Sequence, residues 1–264
     1  MLRNSNEFIN CAISATDGAI GHIENFYFDD KTWVVRYLIV DTGNWLFSRK
    51  VLISPRAVEQ VNWENKTISV NITKEQVKSS PNIDTEKPVS RQHEMTYNGY
   101  YGYPYYWEEI GLWGIDDYPP MMMPIYTESL TAPLGVEQEI ERSQEQIKSK
   151  NYDPHLRSYK EIETYRILTS DGEIGHVKGL LIDEENWIVR YIIVDTTAWW
   201  PSQGVLIEIQ RIKEVNWADN TIHINLTQQS IIDAPPYDSK ELFNQEKEMG
   251  LKEHYQRLGY RIGE

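Results

Sequence analysis

The stretch Trp33-Val-Val-Arg-Tyr-Leu-Ile-Val-Asp-Thr42 determines how this chain folds, and it occurs twice. Its second copy, Trp187-Ile-Val-Arg-Tyr-Ile-Ile-Val-Asp-Thr196, follows 154 residues later and differs at only two positions. A continuous run of β-branched and aromatic residues is typical of a central strand that is buried on both faces. We therefore expect the same buried strand to be present twice.

The repeat extends well beyond this strand. Residues 12–84 align with residues 166–238 at the constant spacing of 154 residues, without a gap. Solenoid repeats have a period of about 20 to 50 residues, so a repeat of this length is a whole small domain in duplicate. The recurring pairs include Asp17-Gly18 with Asp171-Gly172, Gly21-His22 with Gly175-His176, and Val61-Asn62-Trp63 with Val215-Asn216-Trp217.

Each copy has the pattern of β structure throughout. In the first copy, Asp17-Gly18 is a hairpin signal, and residues 58–72 form a closing hairpin around the turn Glu64-Asn65-Lys66. About six short strands with turns between them are too few for two full sheets and favour a small barrel. The fold class is therefore predicted to be mainly β, with two small barrels in tandem.

The repeat divides the chain into four segments: a first barrel over residues 8–84, a linker over 85–160, a second barrel over 161–238 and a helical tail over 239–264. Prolines that follow each copy, at Pro81 and at Pro235-Pro236, end its last strand. The linker begins with a Tyr/Trp-rich run that also contains proline and glycine, and its second half is charged and helix-prone.

The charge and composition exclude several classes of partner. With 40 acidic and 26 basic residues the formal net charge is −14, which argues against nucleic acid and against an anionic membrane surface. No apolar run approaches the roughly 20 residues of a transmembrane helix, and the N-terminus lacks the apolar core of a signal peptide. The single cysteine, Cys11, allows no intramolecular disulfide and suits a reducing compartment. We expect a cytoplasmic protein without a transmembrane segment.

Two arginines, Arg36 and Arg190, lie within the most apolar strand of each copy. A charge at such a position must be paired or must reach the rim of the barrel. One interpretation is a structural ion pair with an acid on a neighbouring strand. The other is an anchor for an anion or a carboxylate ligand.

The aromatic stretch 97–113 is the other candidate site. Tyrosine and tryptophan mixed with glycine suit an adaptable contact surface, for which Tyr100, Tyr103 and Trp107 are the predicted contact residues. The alternative is a strap that packs across the barrels and completes a small core.

Patterns of catalytic, metal and cofactor sites are missing from the sequence. His22 and His176 follow the glycine of each copy, but no second ligand stands nearby at metal spacing. Nothing matches a Ser-His-Asp set, a phosphate loop or a dinucleotide fingerprint. The sequence therefore predicts a protein that is not an enzyme and that uses neither a cofactor nor a metal ion.

The order of these motifs resembles the PRC-barrel family, named for the cytoplasmic domain of the H subunit of the bacterial photosynthetic reaction centre. The shared features are Asp-Gly-x-x-Gly-His, an acidic turn, Trp-x-Val-Arg-Tyr-x-Ile-Val-Asp-Thr, Val-Leu-Ile and Val-Asn-Trp, in both copies. In the H subunit the barrel caps a membrane complex and helps to shape the proton path to a quinone. A related barrel in a ribosome maturation factor binds protein. The resemblance implies the barrel fold, and fold does not fix function.

The function that we predict is a non-catalytic protein-interaction or scaffolding module, with an unknown protein partner and with a homodimer as one arrangement. Two alternatives stay open. The first is a peripheral accessory protein of a membrane electron-transfer complex, by analogy with the H subunit. The second is a binder of a small ligand or anion that uses Arg36 and Arg190.

Overall fold

The computed structural model describes residues 1–47, 49–81, 89, 91–107, 113, 155–196, 204–239 and 243–257. The helix-prone second half of the linker, predicted from the sequence, lies outside these residues. In the described parts the fold is mainly β, as the sequence predicts, and the strands form two sheets, one for each copy of the repeat.

The described residues of the first half form seven strands and three helices. The strands are β1 (Leu2–Asn4), β2 (Ala12–Ala15), β3 (Gly18–Asp29), β4 (Val35–Asp41), β5 (Lys50–Ile53), β6 (Val58–Asn62) and β7 (Thr67–Val70). The helices are α1 (Ser5–Phe8), α2 (Lys74–Ser79) and α3 (Arg91–Tyr101), and short 3-10 turns lie at Gly43–Leu46 and Pro55–Ala57.

The second half repeats this order. Its strands are β8 (Leu156–Ser158), β9 (Arg166–Thr169), β10 (Gly172–Asp183), β11 (Val189–Asp195), β12 (Gly204–Glu208), β13 (Ile212–Asn216), β14 (Thr221–Ile224) and β15 (Pro236–Tyr237). Its helices are α4 (Tyr159–Ile162), α5 (Gln228–Ile232) and α6 (Gln245–Arg257), with a 3-10 turn at Ile209–Arg211.

The two sheets share the same order of six equivalent strands, and the second has the additional edge strand β15. The strand order is β5-β4-β3-β2-β7-β6 in one and β13-β14-β9-β10-β11-β12-β15 in the other. Pairing is antiparallel except between β2 and β7 and between β9 and β14, which are parallel. The ladders of the described strands do not join β5 to β6, so the first sheet is open between these strands in hydrogen-bonding terms.

The Asp-Gly-x-x-Gly motif serves the fold of each half. A Cβ atom on Gly21 would lie 1.9 Å from the carbonyl oxygen of Asp41, so only glycine lets β3 approach the end of β4 this closely. The Asp17 carboxylate accepts a hydrogen bond of 2.8 Å from the backbone N–H of Lys74, at the start of α2. This carboxylate therefore caps a helix, as acidic side chains at helix N-termini commonly do.

The repeated tryptophan joins the two halves. Trp33 and Trp187 both adopt positive φ, at 57° and 62°, where a bulky residue is rare. In this conformation the carbonyl of Trp187 accepts from the N–H of Val35, and the carbonyl of Trp33 accepts from the N–H of Val189, both at 2.8 Å. The stretches 33–42 and 187–196 therefore contact each other directly through reciprocal hydrogen bonds. These bonds relate the two halves by a pseudo-twofold axis.

Each half also supplies a strand to the sheet of the other half. Strand β1 pairs with β10, where Leu2 lies opposite Asp183, and β8 pairs with β3, where Leu156 lies opposite Asp29. The two pairings are equivalent, because Leu2 and Leu156, like Asp29 and Asp183, are 154 residues apart. This exchange cannot be recognised in the sequence, because strands of three residues carry too little pattern.

Arginines on the exchanged strands fasten the halves together. Arg3 lies 3.3 Å from the Glu184 carboxylate and 4.6 Å over the Trp63 ring. Its counterpart Arg157 lies 3.1 Å from Asp30 and 4.3 Å over the Trp217 ring. One hydrophobic core runs through both halves, and a second, smaller cluster lies beneath α3.

Candidate interaction site

Each sheet is covered by a helix that belongs to the repeat, although the sequence alignment ended before it. The buried hydroxyl of Tyr37 donates to Oε1 of Glu94 on α3 over 3.3 Å. At the equivalent place, Tyr191 donates to Oε1 of Glu248 on α6 over 3.1 Å. Both pairs are separated by 57 residues, so the 154-residue spacing continues into α3 and α6.

A second contact docks each helix in the same way. The hydroxyl of Tyr100 donates to the carbonyl of Gln76 over 2.8 Å. At the corresponding positions, the Nε2 atom of His254 lies 2.8 Å from the carbonyl of Ser230. Different side chains thus make the same contact, and α3 and α6 take up equivalent places on their sheets.

Arg36 lies in the first half, on β4, and its side chain is enclosed by aromatic rings. The residue is only 3% exposed. Its guanidinium carbon lies 3.7 Å from the ring centroid of Tyr106 and 5.0 Å from that of Trp113. A desolvated cation over an aromatic face is stabilised by about 2 kcal/mol. Burial lowers the pKa of Arg36, and electrostatic interactions with Tyr106, Asp29 and Glu94 oppose that shift.

Glu94 completes this buried cluster. Its side chain is fully shielded, and its Oε1 atom accepts from the hydroxyl of Tyr106 over 2.6 Å as well as from Tyr37. Its Oε2 atom lies 3.6 Å from Nε2 of His155, just before β8. Burial, followed by the Glu94 charge, raises the pKa of Tyr37 well above its ordinary value. The phenol therefore stays protonated and acts as a donor.

The described residues of the segment 97–113, here called the aromatic strap, cover the face of the first sheet. Tyr97 is buried, its hydroxyl accepts from the N–H of Ser54 over 2.9 Å, and its ring meets Tyr37 edge-on at 5.0 Å. Tyr106 and Trp113 are buried over Arg36. The strap therefore extends the core of the first half, in line with the packing interpretation of this stretch.

The three aromatic residues predicted as an interaction surface do not share one environment. Tyr100 is 40% exposed. Tyr103 is half-buried and stacks on Tyr101, with ring centroids 5.6 Å apart, and burial raises its pKa. Trp107 is half-buried and stacks on Tyr105 at 4.9 Å. Their role in partner binding stays a prediction.

Arg190 lies in the second half, at the position that corresponds to Arg36, and is exposed. It borders a cleft of about 750 Å³ whose wall also contains Glu248 and the exchanged strand residue Leu2. The counterparts of these residues in the first half are Glu94 and Leu156. The two halves therefore carry an arginine and a glutamate at equivalent positions. In the first half the aromatic strap encloses this pair, and in the second half the pair borders an open cleft.

Glu248 is held ready as an acceptor at this cleft. Its Oε1 atom accepts from the Lys252 ammonium over 2.8 Å and from the hydroxyl of Tyr191. Burial opposes its ionisation, but these hydrogen bonds and the charges of Lys252 and Arg190 lower the pKa of Glu248 below its usual value. The cleft therefore presents a fixed carboxylate beside an exposed guanidinium.

The predictions from sequence singled out the arginines of this site and missed its glutamates and Tyr106. Glu94 and Glu248 are separated by the same 154 residues as the aligned copies, and so are Tyr101 and Tyr255 on the same helices. Continuing the alignment past the Pro81 and Asp84 positions would have found them. Tyr106 recurs as Tyr260 at the same spacing, but this recurrence does not place Tyr106 or Trp113 over Arg36, because the path of the linker is not encoded in the repeat.

Among the residues that the structure describes, no group of three or more His, Cys, Asp or Glu side chains could hold a metal ion. His22 and His176 are exposed residues on β3 and β10. The Cys11 thiol is buried, and burial raises its pKa. In the parts of the chain that are described, none of the helices has the length and apolar character needed to cross a membrane.

Comparison with known proteins agrees with the architecture. No curated protein matches the chain. The sequence pattern of the PRC-barrel domain matches twice, over residues 3–77 and over residues 154–230. Each match begins at or near an exchanged strand, at β1 and at β8 respectively. Since the two matches cover more than half of the sequence, the chain belongs to the PRC-barrel family.

Proposed function

We propose that this protein is a non-catalytic interaction module, in which two joined PRC-barrel domains present one face for a protein partner. The observation that carries the proposal is the contrast between Arg36 and Arg190. The framework of both faces is the same, but among the described residues the aromatic strap covers the first face and no counterpart covers the second. Because the equivalent face in the first half packs against a polypeptide segment, the face around Arg190 is well suited to bind a polypeptide segment of another protein.

The joined architecture supports a scaffolding role. The halves exchange strands and share one core, so their relative placement is set by the fold and not by a free linker. A rigid pair of faces loses little conformational freedom on binding, which favours affinity. We place this activity in the cytoplasm, in keeping with the acidic composition and the single buried cysteine.

The charge around Arg190 favours a polypeptide over a small anion. The cleft wall contains the carboxylates of Asp183, Glu185, Glu246 and Glu248, against the cations of Arg190 and of the amino terminus at Met1. Even when the Lys252 ammonium that pairs with Glu248 is counted, the negative groups outnumber the positive ones and repel a free anion. The alternative of a peripheral accessory protein in an electron-transfer complex is compatible with the proposed function, since it too needs a protein-docking face.

Affinity capture from native lysate tests the proposed function. The bait is the full chain, and the comparison is a variant with Tyr100→Ala, Tyr103→Ala and Trp107→Ala, next to a variant with Arg190→Ala. A protein retained by the wild type and lost by one variant supports an interaction module and locates its face. Absence of any specifically retained protein, with all three baits equally stable, contradicts it.

A further inference from the structure

We propose that the Arg190 cleft binds a tyrosine side chain of a partner protein, with the ring over the Arg190 guanidinium and the phenol hydroxyl donating to Glu248. This inference rests on the proposed function, because it names the chemistry by which the open face would recognise its partner. It goes further by specifying one side chain and the two groups that receive it.

The molecule contains its own example of this complex. In the first half the Tyr106 ring lies 3.7 Å from the guanidinium carbon of Arg36, and its hydroxyl donates to Glu94 over 2.6 Å. A tyrosine satisfies both groups at once, since its face attracts the cation and its hydroxyl reaches the carboxylate. A phenylalanine would leave the carboxylate without this donor, and an aliphatic side chain would not attract the cation.

The receiving groups are in place in the second half. Arg190 and Glu248 stand at the equivalent positions of β11 and α6, and both border the 750 Å³ cleft. The hydroxyl of Tyr191 orients Glu248, as that of Tyr37 orients Glu94. The cleft volume falls within the range of roughly 300 to 1,000 Å³ that is usual for binding sites.

The rim of the cleft indicates what flanks the tyrosine. Its acids Asp183, Glu185 and Glu246 correspond to Asp29, Lys31 and Gln92 in the first half, so the second rim is more acidic. The amino group of Met1 lies 3.9 Å from Asp183 and 3.7 Å from Glu185 and offsets part of this charge. The remaining negative charge favours a partner segment with lysine or arginine next to the tyrosine.

The chain contains a competing tyrosine. Tyr260 stands 154 residues after Tyr106, in residues that lie outside the described part of the chain. Its neighbours differ from those of Tyr106, since Gly259 and Arg261 stand where the strap has Tyr105 and Trp107. Loss of two rings and gain of a second cation make this sequence a poorer match for Arg190 than the strap. The test must nevertheless separate the two sources.

A labelled peptide provides the probe. It has the sequence Lys-Tyr-Pro-Tyr-Tyr-Trp-Lys, which takes strap residues 103–107 and adds a lysine at each end. Its binding to the full chain is followed by fluorescence anisotropy. We expect saturable binding that weakens about tenfold in Arg190→Ala and severalfold in Glu248→Gln. A probe with phenylalanine at the position of Tyr106 should bind severalfold more weakly.

Two variants serve as controls. Arg166→Ala removes an exposed arginine that pairs with Glu173 outside the cleft, and it should change the dissociation constant by less than about twofold. Tyr260→Ala should leave the affinity within the same limit. Unfolding in urea is measured for every variant, so that a loss of binding is not confused with a loss of folding.

Three results would overturn the inference. The first is that the peptide shows no saturable binding to either the wild type or Tyr260→Ala. The second is that it binds the wild type and Arg190→Ala equally. The third is that its binding becomes measurable only in Tyr260→Ala. The last would mean that the chain fills its own cleft. The proposed function fails separately: a protein captured equally by the wild type and by Arg190→Ala leaves the interaction module standing and removes only the tyrosine site.

Discussion

Arg36 and Arg190 occupy equivalent positions in strands of nearly identical sequence, yet one is enclosed by Tyr106 and Trp113 and the other is exposed. The sheets, the covering helices and the glutamates Glu94 and Glu248 are the same. What differs among the described residues is the aromatic strap, which follows α3 and has no described counterpart after α6. The repeat therefore determines the framework of each face, while in the first half the strap, which lies outside the aligned copies, makes that face part of the core.

Removal of each arginine in turn should give the largest difference in stability between the two halves. Arg36→Ala should destabilise the protein by about 3 to 5 kcal/mol, because it leaves the buried Glu94 carboxylate without the nearby cation and opens a gap beneath Tyr106. Arg190→Ala should change the free energy of unfolding by less than about 0.5 kcal/mol, as exposed residues usually do. Urea denaturation of both variants checks this, and similar losses would contradict the contrast between the halves.

The tyrosines that hold the glutamates should show a smaller difference in the same direction. Tyr37→Phe removes a donor from a fully shielded carboxylate and should cost about 2 kcal/mol. Tyr191→Phe leaves Glu248 with Lys252 and partial solvent, so about 1 kcal/mol is expected. Thermal and urea unfolding provide the measurement, and a larger loss for Tyr191→Phe would reverse the assignment of core and surface.

The arginines of the two exchanged strands should contribute equally to the free energy of unfolding, and they provide a symmetrical control for the difference between Arg36 and Arg190. Arg3→Ala and Arg157→Ala each remove a half-buried ion pair with the other half and a cation–π contact. Arg3 also pairs with the more exposed Glu7 at 3.5 Å, a contact that adds little, so each variant should cost about 1 kcal/mol. The two losses should agree within about 0.5 kcal/mol. Unequal losses in urea unfolding would show that the reciprocal geometry is not energetically equivalent.

The smallest expected effect is a dependence on pH at Glu248. Because its folded pKa lies below its unfolded value of about 4.5, its ionised form stabilises the fold above that pH. This contribution is lost as the pH falls through the folded pKa. The stability difference between the wild type and Glu248→Gln should therefore shrink when the pH is lowered from 7 to 3. A difference that grows on acidification would contradict the lowered pKa.

The repeat made most of the framework predictable. The Trp33 and Trp187 stretches predicted the central strands, and the constant spacing predicted two equivalent β domains. The reciprocal bonds of these tryptophans could not be derived, because positive φ at a bulky residue follows from packing between the halves. The cover over Arg36 was equally hidden, since it depends on the long-range path of Tyr106 and Trp113.

Accessibility of the two arginines tests the central claim most directly. The folded wild type is treated with an arginine-selective dicarbonyl reagent, and modification of each site is followed over time by mass spectrometry, with exposed Arg166 as the reference. We predict that Arg190 reacts at a rate close to that of Arg166, while Arg36 stays protected until the protein is unfolded. Equal protection of Arg36 and Arg190, or rapid modification of Arg36, would contradict the account of one covered and one open face.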